Sequence, residues 1–390
     1  MIHNTNTSRL LALAALAAAA VVGSATAQAD ARTQAKRLHD RIAGVPASAA
    51  TLTQMANLIT AGDATAAARI ALQAPSFYNV TLKNFATPWT NREQTVFAPL
   101  NDYTATVIGM VRDDVPFNTV LSGDILYVGG AGLPAYSNTN NDLYQALEDQ
   151  DLNLGSPSVL VQTTQSSATG LPAGATAGVM TSRAASQSFF IAGTNRAMFR
   201  FTLMNHLCKD LEQVHDTTLP PDRIRQDVSR SPGGDSRIFL NGCIGCHTGM
   251  DPLTQAFAYY NWDETAGKLV YTAGQVQPKY LINSDNFKTG YVTTDDHWNN
   301  YWRKGANQVL NFDAALSGSG TGAKSMGQEL AHSDAFAQCQ VEKVFRAMCF
   351  RDPGNTQDRQ AVSTIKGNFK NGGYKMKQVF ADAAIYCMGN

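Results

Sequence analysis

Five consecutive residues, Cys243-Ile244-Gly245-Cys246-His247, place two thiols and an imidazole at the C-x-x-C-H spacing of c-type haem attachment. Two thiols about one helical turn apart can form thioethers with the two vinyl groups of a haem, and the adjacent histidine can offer a ring nitrogen to the iron. The sequence therefore predicts one covalent haem c, bound by Cys243 and Cys246, with His247 as an axial ligand.

Other uses of such residues fit the sequence less well. A thioredoxin-like C-x-x-C should open a helix after a strand, and a zinc site needs a second ligand pair nearby; neither context surrounds Cys243. The cluster Asp295-Asp296-His297 could bind a metal, but we expect a solvated turn there instead. The chain has no G-x-S-x-G, H-E-x-x-H or phosphate-binding loop.

The second axial ligand decides between electron transfer and catalysis, because an iron with two strong protein ligands has no open position for a substrate. Met326 is the first candidate, since it follows a Gly-rich loop and precedes the C-terminal helices, as the distal methionine does in small cytochromes c. His332 and an open or water-bound iron are the alternatives. Met250 is too close in sequence to His247 to reach the opposite face of the haem, so we expect it to pack in the core. Six further residues are expected in the core or on the surface: Met348, Met376, Met388, His206, His215 and His297.

The first 27 residues are typical of a secretory signal peptide. Arg9 precedes an apolar run from Leu10 to Val22, and the small residues Ala25-Thr26-Ala27 offer a cleavage site. The run is shorter than the roughly 20 residues that span a bilayer, and no later segment is apolar enough to do so. We expect a periplasmic or secreted protein, which agrees with haem c because that group is attached after export.

Charge and length limit the possible binding partners and the number of domains. The 390 residues contain 31 Lys and Arg and 31 Asp and Glu, so the chain offers no electrostatic footprint for nucleic acid. The length greatly exceeds the roughly 100 residues of a minimal one-haem domain and suggests several packed units. We predict a signal peptide (1–27), a helical N-terminal module (28–120), a loop-rich region with a buried helix (121–230) and a cytochrome c-like haem domain (231–390).

The predicted fold class is mainly α, with irregular loops and a three-helix segment at the C-terminus. Apolar periodicity indicates helices over most of residues 29–85 and again over 91–117, where Pro99 interrupts the helix and Pro116 ends it. Asp63 is expected to cap a helix over 64–72. Asp235 can cap a helix that leads into the haem motif, and Asp251-Pro252 should end it. Between residues 125 and 187 the composition is that of loops, which suggests a lid or a loose surface excursion. The C-terminal helices are predicted at 333–350, 357–369 and 374–386.

Four cysteines remain besides the haem pair, and an even number in an oxidising compartment favours two disulfides. Cys339 and Cys349 lie ten residues apart on one predicted helix, about 15 Å along its axis, which exceeds the roughly 7 Å that a disulfide allows between Cα atoms. If the last three helices run up, down and up, Cys387 ends beside Cys349. That arrangement predicts Cys349–Cys387 and Cys208–Cys339; four buried free thiols are the alternative.

The mature chain resembles the large haem-c proteins of planctomycetes and some proteobacteria, in which several domains of unknown function surround one C-x-x-C-H. The most specific match runs from Cys243 to Pro252 and ends in His-Thr-Gly-Met-Asp-Pro. Weaker matches occur before and after it: Arg37–Pro46, Pro75–Tyr78, Gly178–Thr181, Arg196–Cys208, Phe336–Cys339 and Gly373–Lys377. The chain departs from the family at Phe350-Arg351, where a Gly-Arg pair is usual. The resemblance implies a haem-bearing, multi-domain architecture, without a defined reaction.

Three functions follow as hypotheses. The first is electron transfer by an exported mono-haem cytochrome c that docks on a redox partner protein. The second is a haem-dependent oxidoreductase acting on peroxide or an organic substrate at an open iron, with residues 130–190 as a lid. The third is a cell-surface binding or assembly module in which the haem is secondary.

Overall fold

The computed structural model describes residues 29–191, 193–224, 236–281 and 290–389, and the fold is mainly helical, as predicted. The predicted signal peptide and the predicted cap Asp235 lie outside these ranges. The helices, in chain order, are α1 (Ala31–Ala43), α2 (Ala49–Thr60), α3 (Ala64–Leu72), α4 (Lys83–Ala86), α5 (Asp102–Arg112), α6 (Asp142–Asp149), α7 (Gln165–Thr169), α8 (Arg183–Phe189), α9 (Arg196–Leu207), α10 (Ser236–Ile238), α11 (Ile244–Thr254), α12 (Gly322–Ala331), α13 (Asp334–Cys349), α14 (Thr356–Asn371) and α15 (Met376–Cys387).

The strands of the described residues form three separate antiparallel pairs. They are β1 (Leu126–Gly129) with β2 (Leu160–Thr163), β3 (Tyr260–Asp263) with β4 (Lys268–Tyr271), and β5 (His297–Asn299) with β6 (Ser319–Thr321). None of these strands exceeds four residues, so the pairs serve as local links between helical layers.

Side-chain caps determine where the N-terminal helices begin. Asp30, Ser48 and Asp63 each accept a hydrogen bond from a backbone N–H in the first turn of α1, α2 and α3. Such a bond satisfies a donor that the helix itself cannot pair and stabilises it by about 1 kcal/mol. The predicted helix over 64–72 with its cap is therefore confirmed. Over 91–117 the helix α5 begins after the predicted interruption at Pro99, because Asn101 caps it at Asp102, and it ends at Arg112, before Pro116.

The segment predicted to be a lid or a loose excursion is anchored in the protein. β1 pairs with β2, and the rings of Tyr127 and Tyr144 are buried beneath them. The Tyr144 hydroxyl donates to the backbone carbonyl of Tyr127 over 2.8 Å. Although the segment is rich in turns, its apolar side chains belong to the main core, which argues against a mobile lid.

The C-terminal helices pack against one another as predicted, and both predicted disulfides are present. Cys208 pairs with Cys339 at a Cα–Cα distance of 5.2 Å, and Cys349 pairs with Cys387 at 5.4 Å. The first disulfide joins the end of α9 to α13. Side chains of α1 also hold the end of α15, since Gln34, Arg37 and Arg41 donate to the backbone carbonyls of its last turn and the residues that follow.

One continuous hydrophobic core runs through the molecule. It contains Leu38 and Ile42 of the predicted N-terminal module, Tyr127 of the middle region and Met326 and Phe345 of the C-terminal part. The three predicted units thus share a core.

Phe350 occupies a backbone conformation that favours glycine. It follows α13 with φ of 56°, its side chain is 75% exposed, and its ring lies 5.5 Å from the Arg41 guanidinium carbon. A Cβ costs about 1 kcal/mol in this left-handed region, and helices commonly end there with glycine. The Gly-Arg pair of the resembling proteins falls at this position, so the strain gives it a physical reason.

We expect Phe350→Gly to raise the free energy of unfolding by about 0.5–1 kcal/mol, because it removes the strain and loses little buried surface. Urea denaturation of the purified protein measures this. Phe350→Ala is the matched control, since it removes the ring but keeps the Cβ. If the alanine variant is as stable as the glycine variant, backbone strain does not determine stability at this position.

Candidate haem-attachment site

The C-x-x-C-H segment lies at the start of α11. A short π-helix (Phe239–Cys243) leads into it, so Cys243 precedes the first residue of α11 and Cys246 lies within its first turn. Both thiols are partly exposed and unpaired, whereas the other four cysteines are in disulfides. The arrangement leaves two accessible thiols on one turn of helix, as thioether formation requires.

Apolar side chains surround this turn. Phe239 and Ile224 form a small buried cluster, against which Cys243 and Ile244 pack, and this cluster is separate from the main core. Ile238 and Leu240, just before the motif, are 50% and 57% exposed. A haem attached to the thiols would find apolar surface beside it, and these residues therefore fit the group that the motif predicts.

The segment before the motif packs closely on Gly245. The His215 ring would lie only 2.1 Å from a Cβ at this position, so only glycine fits. The Asp216 N–H donates to the Gly245 carbonyl over 2.9 Å, and the Thr248 hydroxyl donates to the Asp216 carbonyl over 2.9 Å. These contacts fix the first turn of α11 against a neighbouring segment.

His247 is held by a buried carboxylate one turn further along. Its Nδ1 lies 3.0 Å from Oδ1 of Asp251, and the Asp251 side chain is fully buried. An ionised carboxylate only accepts hydrogen bonds, so Nδ1 is the protonated nitrogen. Nε2 is then the nitrogen with a lone pair for a metal.

Arg196, at the start of α9, completes the arrangement. Its Nε donates to Oδ1 of Asp251 over 2.9 Å and its Nη2 to Oδ2 over 3.1 Å. Burial alone would raise the pKa of Asp251, but the charges and hydrogen bonds of Arg196 and His247 outweigh it and hold that pKa well below its usual range. Asp251 is therefore an anion that forms a bidentate ion pair with the Arg196 guanidinium.

The prediction that Asp251-Pro252 ends the motif helix is wrong, because α11 continues to Thr254 with Pro252 inside it. A proline removes one N–H from the helix ladder. Asp251, four residues after His247, lies on the same face of this helix.

The chemistry of Cys246 does not favour a redox-active thiol. Burial, followed by the nearby charge of Glu212, raises the pKa of this thiol above its usual value. Reactive C-x-x-C thiols have lowered pKa values. In addition, among the described residues no three His, Cys, Asp or Glu side chains are gathered so as to hold a metal ion, the predicted alternative cluster at Asp295, Asp296 and His297 included.

The residues considered for the second axial position lie elsewhere. Met326, on α12, is fully buried in the main core, apart from the small cluster that Cys243 joins. The His332 ring is placed by Asn118, 3.2 Å from Nε2, and by the Gln328 carbonyl, 2.8 Å from Nδ1. Met250 is buried in the main core, and its predicted packing role is confirmed.

The other candidates are placed mainly by packing. Met348 and Met376 are buried in the core, and Met388 packs at its edge. His206 is buried and its Nε2 lies 2.7 Å from the Tyr103 hydroxyl. His215 lies against the motif at Gly245, and His297 is in β5.

Sequence reasoning missed two parts of the site. The i,i+4 spacing of His247 and Asp251 on a helix could have revealed their contact. The contacts of Arg196 with Asp251 and of His215 with Gly245 depend on packing between distant segments, and no local sequence pattern indicates them.

Two structural features bear on the compartment. The two disulfides fit an oxidising environment. Among the described residues, no helix combines the length and apolar character needed to cross a membrane.

Comparison with known proteins gives no relative for this chain: no protein-family model, no curated protein and no solved structure matches it. The site must therefore be interpreted from its own geometry.

Proposed function

We propose that the chain is an exported mono-haem c-type cytochrome that transfers electrons, and that it belongs with the haem-c proteins it resembles. The observation that carries the proposal is one helical turn with two unpaired, accessible thiols, followed by a histidine whose Nδ1 is occupied and whose Nε2 is free for a metal. Covalent haem attachment needs these three groups together.

Each residue has a defined part in this proposal. Cys243 and Cys246 hold the haem through thioethers, and His247 offers Nε2 to the iron. The haem supplies one-electron redox chemistry when bound. Ile238 and Leu240 provide exposed apolar surface near the attachment point, where a redox partner protein can approach. Export to the periplasm or outside the cell accounts for both the haem attachment and the disulfides.

A haem-dependent oxidoreductase is the second candidate. It is favoured by the contacts of Met326, which packs in the main core and not in the small cluster around Cys243, and of His332, whose ring nitrogens are occupied by Asn118 and the Gln328 carbonyl. If neither residue ligates the iron, one axial position is open to peroxide or an organic substrate.

The first test is the absorption spectrum of the protein purified after export from cells that mature c-type cytochromes. We expect haem that stays attached through acid-acetone extraction and denaturing electrophoresis, and a spectrum that changes reversibly between oxidised and reduced forms. A protein that carries no covalent haem under these conditions contradicts the proposal.

Carbon monoxide separates the two candidates. A reduced spectrum that does not respond indicates two protein ligands and supports the electron carrier. In that case Met326→Ala tests the predicted ligand, since its loss should make the reduced protein bind carbon monoxide. A spectrum that shifts in the unaltered protein indicates an open iron and supports the oxidoreductase.

A further inference from the structure

We propose that Asp251 is a positioning residue that keeps the reduction potential of the haem low through His247, and that Arg196 limits the strength of this effect. The inference rests on the proposed haem attachment, and it concerns what the protein does to the iron rather than whether haem is bound. Neither residue has to touch the haem for this role.

The geometry shows a chain of three groups. Nδ1 of His247 lies 3.0 Å from Oδ1 of Asp251, and both oxygens of Asp251 accept hydrogen bonds from Arg196, at 2.9 Å and 3.1 Å. Asp251 is fully buried, so water does not compete for its oxygens. Because one carboxylate oxygen receives bonds from both partners, the His247 ring has one preferred tautomer and one preferred orientation.

The chain of contacts extends beyond the motif helix. Arg196 is the first residue of α9, and the residue that ends α9, Cys208, is bonded to Cys339 in α13. Asn195, next to Arg196, is fully buried, and its side-chain amide donates to the backbone carbonyls of Phe257 and Tyr260. The backbone is thus held at both ends of α9, and Arg196 reaches Asp251 from an element other than α11.

The electronic consequence follows from the charge of Asp251. A carboxylate that accepts a hydrogen bond from the Nδ1–H group makes Nε2 a stronger electron donor, which favours the oxidised iron over the reduced iron. The double hydrogen bond from Arg196 withdraws part of that charge. The two residues therefore have opposite effects on the reduction potential, although they form one ion pair.

Two substitutions test this with opposite expected signs. Asp251→Asn retains a hydrogen-bond acceptor but loses the charge, so the potential should rise. Outer-shell partners of this kind change metal affinity by about 10- to 100-fold. If the change falls on one oxidation state, the rise is about 60–120 mV, at 59 mV for each tenfold step in a one-electron couple. Arg196→Lys makes one contact where the guanidinium makes two, which leaves more charge on Asp251, so the potential should fall.

The measurement is a spectroelectrochemical titration of the purified, haem-loaded proteins. Asp216→Asn is the matched control, because Asp216 is also buried and lies beside the motif through its backbone N–H, whereas its carboxylate accepts hydrogen bonds from Thr218 and not from His247. We expect its potential to change by less than a third of the Asp251→Asn shift. An equal shift in the control would show that only the loss of a nearby charge matters.

The outcomes separate this inference from the proposed function. An unaltered protein without covalent haem overturns the proposed function before any variant is compared. Haem-loaded variants whose potentials equal that of the unaltered protein overturn the positioning role alone, even if they are less stable to heat. If Asp251→Asn does not fold, Arg196→Lys still decides, because it keeps the buried charge paired.

Discussion

Replacing both Cys243 and Cys246 with alanine should remove all covalent haem and leave the fold in place. Neither thiol takes part in a disulfide, and both are partly exposed, so their loss costs little packing. Surface substitutions of this kind change the free energy of unfolding by about 0.5 kcal/mol or less. The expected effect on haem content is complete loss, which haem staining after denaturing electrophoresis and the pyridine haemochrome spectrum both measure.

Cys349→Ser with Cys387→Ser is the matched control, because it also removes two cysteines but lies outside the motif. We expect this protein to keep its haem in the fraction that folds. Circular dichroism of the Cys243→Ala, Cys246→Ala protein should show the helical content of the unaltered chain. Haem that remains covalently attached in this protein would show that the motif is not the attachment site.

Much of the fold could be predicted because its signals are local. The cap at Asp63 and the apolar period of α3 lie within ten residues, and the structure has that helix as predicted. For the disulfides, the rise per residue excludes a Cys339–Cys349 bond, and an up-down-up order of the last three helices then gives the pairing that the structure has. The haem motif is contiguous in the chain, so its three residues could be identified without any tertiary contact.

The parts that were missed or wrong depend on packing between distant segments. The middle region has the composition of loops, and only its contacts in the core show that it is anchored. The end of α11 was misplaced, since the helix continues past Pro252 to Thr254. Arg196 lies 55 residues from Asp251 in the chain, and no pattern in the sequence relates them.

The disulfide between Cys208 and Cys339 links the helix that begins at Arg196 to the C-terminal helices. It fixes the end of the helix that begins at Arg196, and Cys208 lies three residues before Leu211, whose carbonyl is 3.6 Å from Sγ of Cys246. The stability of the fold and the environment of the haem ligand thus depend on the same helix.

Replacing Cys208 and Cys339 with serine should lower the free energy of unfolding by about 2–5 kcal/mol. The bond joins residues 131 apart, whereas Cys349 and Cys387 are 38 apart. A longer closed loop restricts the unfolded chain more, and the logarithmic dependence makes the loss about 1 kcal/mol larger than for the shorter loop. Because Cys339 is buried, the serine hydroxyl at that position also needs a new hydrogen bond, which adds to the cost.

Urea denaturation of the oxidised proteins, compared pair by pair, measures both losses. Comparing the two double-serine variants isolates the effect of loop length, since each variant loses one disulfide and two sulfur atoms. If both pairs unfold at the urea concentration of the unaltered protein, the disulfides do not form in the exported chain. If only the variant at Cys349 and Cys387 is less stable, packing alone holds α9. The position of Arg196 then depends on Asn195 and the core, and not on the disulfide at the other end of its helix.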